Sequence, residues 1–323
     1  MRRVALVAVV VAAVGAMVVE MGVRYGLEEA NANVPMEPDA LRHILAGVQQ
    51  EKSDSLYLFG LMHYYGHGVA TDHDAALRFI RQAARLRHID AQFTLGMLHY
   101  EGLGVAVVPQ ADTLAYAYLQ PAAMAGHADA QWMLGTLLNH GRGVPPNPSR
   151  AAELFTASTQ QGNPRGAFHL GTLHEYGRAV PKNLTLAASL YQSAASHDVP
   201  EAFLYLGLMH TYGRGMPRDY DHALGLFHKV QSFAGPLTVF QGAALGSAGA
   251  KYYLGVLHVS GLGLAAVDYD QGLRWFEAAA LANDPSVSPK ALAAATQLKR
   301  LLEQANARKT DAIARYVVTR DAR

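Results

Sequence analysis

An eleven-residue phrase, LGMLHYEGLGV at 95–105, recurs along this chain and restricts what it can fold into. FGLMHYYGHGV stands at 59–69, LGTLLNHGRGV at 134–144, LGTLHEYGRAV at 170–180, LGLMHTYGRGM at 206–216 and LGVLHVSGLGL at 254–264. The lead glycines Gly60, Gly96, Gly135, Gly171, Gly207 and Gly255 follow one another at steps of 36, 39, 36, 36 and 48 residues. Self-similarity at a period of roughly 20 to 50 residues marks an array in which each unit buries its apolar face against its neighbours. A chain of 323 residues would otherwise suggest two domains, but an array grows by stacking and can stay continuous.

Each unit reads as two helices. In the fourth, helix A is expected from about Gly166 to Tyr176, with Ala167, Leu170 and Leu173 on one face at helical spacing. Gly177 ends it, because glycine adopts the left-handed C-terminal cap without a Cβ penalty. Helix B is expected over 184–196. Asp72, Asn147, Asn183, Asp219 and Asp268 stand near the start of helix B, where a short polar side chain accepts from exposed backbone N–H groups. Alanines recur early in helix A (Ala91, Ala130, Ala167, Ala202) and early in helix B (Ala76, Ala115, Ala151, Ala187, Ala223), as close helix packing requires.

The phrase LG-x-x-[YH]-x-x-G-x-G-V, the loop Asp or Asn, the helix-B alanine and the 36-residue step together resemble the Sel-1-like repeat family. The resemblance covers six units over 54–283 and implies an all-α fold, an α/α solenoid wound as a right-handed superhelix, whose concave face binds other proteins. It implies no catalysis and no cofactor. Three features depart from the family pattern. Where the family usually has Tyr three residues after the lead glycine, this chain has His63, His99, His174, His210 and His258, with Leu138 in the third unit. The second unit carries three extra residues near 107–110, and the fifth carries twelve within 232–249. Gly272 replaces the helix-B alanine of the sixth.

The flanks are read as caps and a leader. Residues 1–19 place Arg2 and Arg3 before an apolar run over 4–19, the layout of a secretory signal peptide or a retained N-terminal membrane anchor. The run is 16 residues long, short of the ~20 that span a bilayer, and both readings stay open. Either one puts the remaining chain on the secretory side, since the arginines hold the N-terminus cytoplasmic. Residues 20–53 hold a linker and an N-terminal cap helix over 38–50 with Leu41, Ile44, Leu45 and Val48 at helical spacing. Residues 284–323 supply a C-terminal cap helix over 290–307 and a tail.

Composition excludes several classes of function. The net charge is +1 and no basic run exceeds Arg2-Arg3, so nothing supplies the concentrated basic face of a nucleic-acid binder. There is no cysteine, hence no disulfide, thiolate metal site or Cys nucleophile. β-Lactamase-like chemistry, raised by the family resemblance, needs Ser-x-x-Lys, and no serine has lysine three residues on. The Gly-x-Gly pairs lack the third glycine and the preceding strand of a phosphate loop, and read as turns.

Four sets of residues remain as candidates. The histidine ladder (His63, His99, His174, His210, His258) would titrate near neutrality, which makes it a pH-sensing candidate beside the plainer role of bonding a neighbouring loop carbonyl. It cannot share a metal, because packed helices lie about 10 Å apart and ligation needs about 2.1 Å. Asn183-Leu184-Thr185 is an N-glycosylation sequon. The insertion at 232–249 carries Phe233, Leu237, Val239 and Phe240 outside the repeat pattern, a candidate partner contact. Tyr64, Tyr100, Glu175 and Thr211 are expected as exposed helix-A residues on the concave face by analogy with related arrays.

The expected function is a non-enzymatic protein-interaction scaffold. Its most concrete form is similar to the lumenal adaptor of an endoplasmic-reticulum ubiquitin-ligase complex, with a membrane ligase and misfolded glycoprotein clients as partners and attachment through 4–19. The alternatives are a secreted or periplasmic repeat protein regulating signalling or envelope processes, and a cytosolic adaptor.

Overall fold

The computed structural model describes residues 38–101, 111–232, 241–282 and 284–321. Among these, all regular structure is helical. A first helix, α1 (Pro38–Gln49), precedes α2 (Ser53–Tyr65), α3 (His73–Arg85), α4 (Ile89–Glu101), α5 (Asp112–Met124), α6 (Ala128–His140), α7 (Pro148–Gln160) and α8 (Pro164–Tyr176). Then come α9 (Leu184–Ala195), α10 (Pro200–Tyr212), α11 (Tyr220–Ser232), α12 (Gln241–Ser260), α13 (Tyr269–Ala280) and α14 (Ser288–Asp321). Even-numbered α2 to α12 are the A helices and odd-numbered α3 to α13 the B helices. The chain falls into two compact units, the first ending at Asn183 and the second beginning at Leu184.

The lead glycine is a seat. A Cβ on Gly60 would lie 2.7 Å from Ile80 Cγ1, on Gly96 2.6 Å from Leu119 Cγ, and on Gly135 2.7 Å from Phe155 Cε1. In the second unit the same geometry sets Gly207 against Phe227 and Gly255 against Phe276. Each of these five B helices thus inserts one large apolar side chain where helix A has no side chain of its own. The expected alanines pack alongside: Ala76, Ala115, Ala151, Ala187 and Ala223 in B helices are wholly buried, as are Ala91, Ala130 and Ala202 in A helices.

Helix A ends as its glycine dictates. Gly66, Gly141, Gly177 and Gly213 are left-handed caps, and the N–H of each returns to a carbonyl one turn back. The second turn glycine meets a different demand. Gly143, at φ +71°, would bring a Cβ to 2.5 Å from the Asp112 backbone at the start of the preceding B helix. At the end of the turn, the N–H groups of Ala75, Arg150, His222 and Gln271 donate to the side chains of Asp72, Asn147, Asp219 and Asp268 at 2.8–3.0 Å. Ala111 holds this place in the second repeat and makes no side-chain cap.

The ends are closed by helices. Ile44 of α1 is buried, and α1 packs on α2. α14 lays Ala295 and Leu298 on Phe276 of α13, while Thr296, Gln297 and Arg300 face outward. A polar outer face is what a terminal repeat needs. α14 starts at Ser288 and runs to Asp321, longer than the expected 290–307, since Ser288–Pro289 can open a helix and no breaker follows. α12 has 20 residues where the other A helices have 13, so part of the expected loop insertion lengthens this helix. Phe233, Leu237, Val239 and Phe240, the leader over 1–19 and the insertion near 107–110 lie outside the described residues.

Candidate functional site

The A helices α4, α6 and α8 line one face of the first unit, and polar and aromatic side chains converge there. Arg142, from the turn after α6, reaches back across one repeat. Its Nη2 and Nε lie 2.6 and 3.2 Å from the Asp112 carboxylate, and its guanidinium sits 4.5 Å over the Tyr100 ring. Its Nη2 also donates to the Tyr100 carbonyl at 3.4 Å. Arg178 repeats the reach, donating to the Asn139 carbonyl at 2.8 Å. Both carbonyls belong to the last turn of an A helix, where unpaired carbonyls carry partial negative charge. The turn arginine therefore clamps the repeat before it.

Between these clamps lies an aromatic stack. Arg165 sits 5.2 Å over Trp132, whose indole N–H donates to Asp129 at 3.2 Å. The His169 imidazole lies nearly parallel to Trp132 at 6.0 Å and to Phe155 at 5.0 Å. Some of the His169 surface stays open, yet burial among these rings pushes its pKa down to about 3, and His140 and Arg165 add to the shift. His140 is lowered by burial and then by Arg178 and Arg142. Burial raises the Glu101 carboxyl against the pull of Arg165 and Arg142, and raises the Tyr100 phenol.

The ladder position does its common work through the backbone. In all six repeats its carbonyl accepts the N–H that begins helix B: His63 from Asp72, His99 from Ala111, Leu138 from Asn147, His174 from Asn183, His210 from Asp219 and His258 from Asp268, at 2.8–3.1 Å. A leucine serves here because the side chain is not needed for this bond. The imidazoles differ among themselves. His63 and His174 donate from Nδ1 to the loop carbonyls of Ala70 and Pro181, at 3.2 and 3.1 Å, as expected. His258 instead donates to Leu254 in its own helix at 2.8 Å. His99 is buried and stacked 5.8 Å from Tyr118. Buried Nδ1 of His210 faces Pro217 without a hydrogen bond of normal geometry, and burial followed by the His222 charge lowers its pKa.

A second histidine pair escaped the sequence reading. The N–H groups of Ala91 and Ala130 donate to Nδ1 of His88 and His127 at 3.2 Å, so these rings cap the A helices that follow them. Their Nε2 atoms lie 3.5 and 3.8 Å from Asp54 and Asp90 of the repeat before. Asn163 does the same at the next seam, accepting from Gly166 at 3.0 Å and donating to Asp129 at 2.7 Å. The signal was present: an aspartate in the first turn of helix A precedes a capping residue by 34, 37 and 34 residues.

The proposed concave-face residues divide. Tyr64 is half-buried against Tyr65 and His73, and Tyr100 lies under Arg142. Glu175 and Thr211, expected to be exposed, are only 3% and 7% accessible, and Thr211 Oγ1 donates back to the Gly207 carbonyl. Their position turns inward from the helix edge, which the 3.6-residue pattern of one helix does not reveal. Asn183 is exposed. Gly66 caps α2 ahead of His67, so His63 and His67 form no helical pair. Among the described residues no group of three or more His, Asp or Glu could hold a metal ion, and no helix is long and apolar enough to cross a membrane.

The Sel1 repeat model matches residues 53–88, 89–127, 128–163, 164–199, 200–229 and 248–284. A Sel1 repeat protein from Oxalobacter formigenes superposes with a TM-score of 0.60 at 24% identity, covering 75% of this chain and 90% of that one. The protective antigen c5321 of uropathogenic Escherichia coli, described as displaying an SLR fold, superposes with a TM-score of 0.55 at 23% identity, covering 80% of this chain and 60% of that one. A search of curated proteins returns no match. Six matched repeats spanning well over half the chain, with glycine seats and glycine-capped turns recurring among the described residues, make this an α/α solenoid protein of the Sel1 repeat family.

Proposed function

We propose that this protein is a non-enzymatic scaffold that holds polypeptide partners, with the helix-A face of α4, α6 and α8 as the contact surface of its first unit. The observation that carries this reading is the six-repeat array itself: the Sel1 repeat is a non-catalytic protein-interaction fold. Part-exposed aromatic and arginine side chains, the types enriched at interface anchors, collect on that face at Tyr100, Arg142 and Arg165, with Trp132 buried beneath Arg165. The compartment we propose is the secretory pathway, on the strength of Arg2-Arg3 ahead of the apolar run 4–19 and the exposed sequon at Asn183. Within it, the adaptor role in endoplasmic-reticulum-associated degradation predicts a membrane ubiquitin ligase and misfolded glycoproteins as partners.

A photo-crosslinking residue at Tyr176, exposed at the end of α8, should trap partners that one at Arg81 on helix α3 does not. Equal capture from both positions would remove the face assignment. Mass spectrometry of the trapped species then decides the role. Ligase and chaperone components support the degradation adaptor, and their absence together with endoglycosidase resistance at Asn183 discards it.

A further inference from the structure

The slot that His169 fills recurs in the chain's own repeats. Two residues before the lead glycine, Tyr205 of α10 packs on Tyr191 of α9 at 5.3 Å, and Tyr253 of α12 stacks on Phe227 of α11 at 5.8 Å. In each case a ring on helix A leans against the buried aromatic plug of the preceding B helix. At the seam of α8 with α6 and α7, the same contact is made by an imidazole, wedged between Phe155 and Trp132. Tyrosine and imidazole both stack, but only the imidazole gains a charge in mildly acidic solution.

The basic groups that bear on this ring resist that charge. From α6, His140 faces it, itself flanked by Arg142 and Arg178. From its own helix Arg165 faces it, while α7 meets it with the Phe155 ring. The one carboxylate on the stack, Asp129, is engaged by the Trp132 indole and the Asn163 amide. The seated ring, although part of its surface is open, therefore resists the proton, and lifting α8 from the stack relieves that resistance.

We propose that His169 makes the α6–α7/α8 seam an acid-labile joint, closed at neutral pH and opened locally as the solution acidifies. The consequence is quantitative. An opened imidazole titrates with the ordinary pKa of about 6.5, while the seated one does not take the proton, so the opening equilibrium rises roughly 30-fold between about pH 7.5 and about pH 5. This device is independent of which partner the scaffold holds.

Hydrogen exchange on the full chain tests it, with rates corrected for the intrinsic pH dependence of exchange. Amide protection along α8 should fall roughly 30-fold over that pH interval. His169→Tyr, which copies the residue at 205 and 253, should keep the stack and remove most of that fall. An equal fall in His169→Tyr overturns the proposal, and so does a wild-type fall that is absent or spread evenly over α1–α14. Should His169→Tyr fail to fold by circular dichroism, His169→Phe takes its place, and the distribution of the wild-type fall still decides.

Discussion

At the scale of single residues, glycine has opposite values at two helical positions. Adding a methyl group to a helix interior gains roughly 1 kcal/mol of backbone entropy and propensity. At Gly135 that methyl would press on the wholly buried Phe155 ring at 2.7 Å, an overpacking that costs about 1–3 kcal/mol. Gly135→Ala should therefore be net destabilising, and Gly135→Val more so, by urea denaturation. A methyl group on Gly225 of α11 would meet no atom within 4 Å, so Gly225→Ala should stabilise by roughly 1 kcal/mol in the same assay.

The lowered imidazoles set the direction of pH dependence. His140, His169, His210 and His228 all lie below the ordinary histidine value, each chiefly through desolvation by its neighbours, although His140 and His228 keep exposed surface. Above the unfolded pKa of about 6.5 both states are neutral and these groups contribute nothing. Below it the unfolded chain takes up protons that the native chain refuses, so stability is full at neutral pH and declines with acidification. For His169 the decline continues toward pH about 3. Thermal melts should show an unchanged Tm from about pH 8 to about pH 7 and a falling one below about pH 6.5. A Tm that rises on acidification would contradict this assignment.

At the scale of elements, neighbouring repeats are joined by two polar devices besides the apolar core. One is the turn arginine on the preceding helix-A carbonyls, and the other is the aspartate that holds the next helix-A cap. Arg142→Lys retains the charge but loses the planar fork that meets Asp112 through two nitrogens, and loses the flat contact with Tyr100. The site is partly exposed, so a loss of about 1 kcal/mol is expected, read as a lower urea midpoint with unchanged slope. Asp129→Ala removes one acceptor shared by the Trp132 indole and the Asn163 amide. Its cost should be larger, about 1–3 kcal/mol, because two donors lose their partner in a part-buried setting.

At the scale of the whole molecule, stability is close to a sum of repeat and seam terms, and the terminal helices make the array soluble. Deleting 284–323 would uncover Phe276 together with Tyr252, Val256 and Val259, which α14 now covers. Loss of Leu298 and exposure of Phe276 alone forfeit about 1.5–3 kcal/mol each. The truncated chain should melt lower and self-associate, measured by light scattering, whereas Leu301→Gln on the exposed side of α14 should do neither.

The period, the helix pairing, the left-handed turn glycines, the helix-B caps and the buried alanines were all legible in the amino-acid sequence. They depend on contacts within one unit, and six copies of each make the pattern plain. Stacking decided the rest. Glu175 and Thr211 look like outward positions on a lone helix and are buried. Arg142, Arg178, His88 and His127 read as ordinary turn residues until the partner some 30 to 42 positions away is in view. A repeat specifies its own two helices through short-range chemistry, but its surface acquires meaning only from what the next repeat lays upon it. His169 shows the difference most clearly: in the sequence it is one histidine among 15, and only the fold sets it between the rings of Trp132 and Phe155.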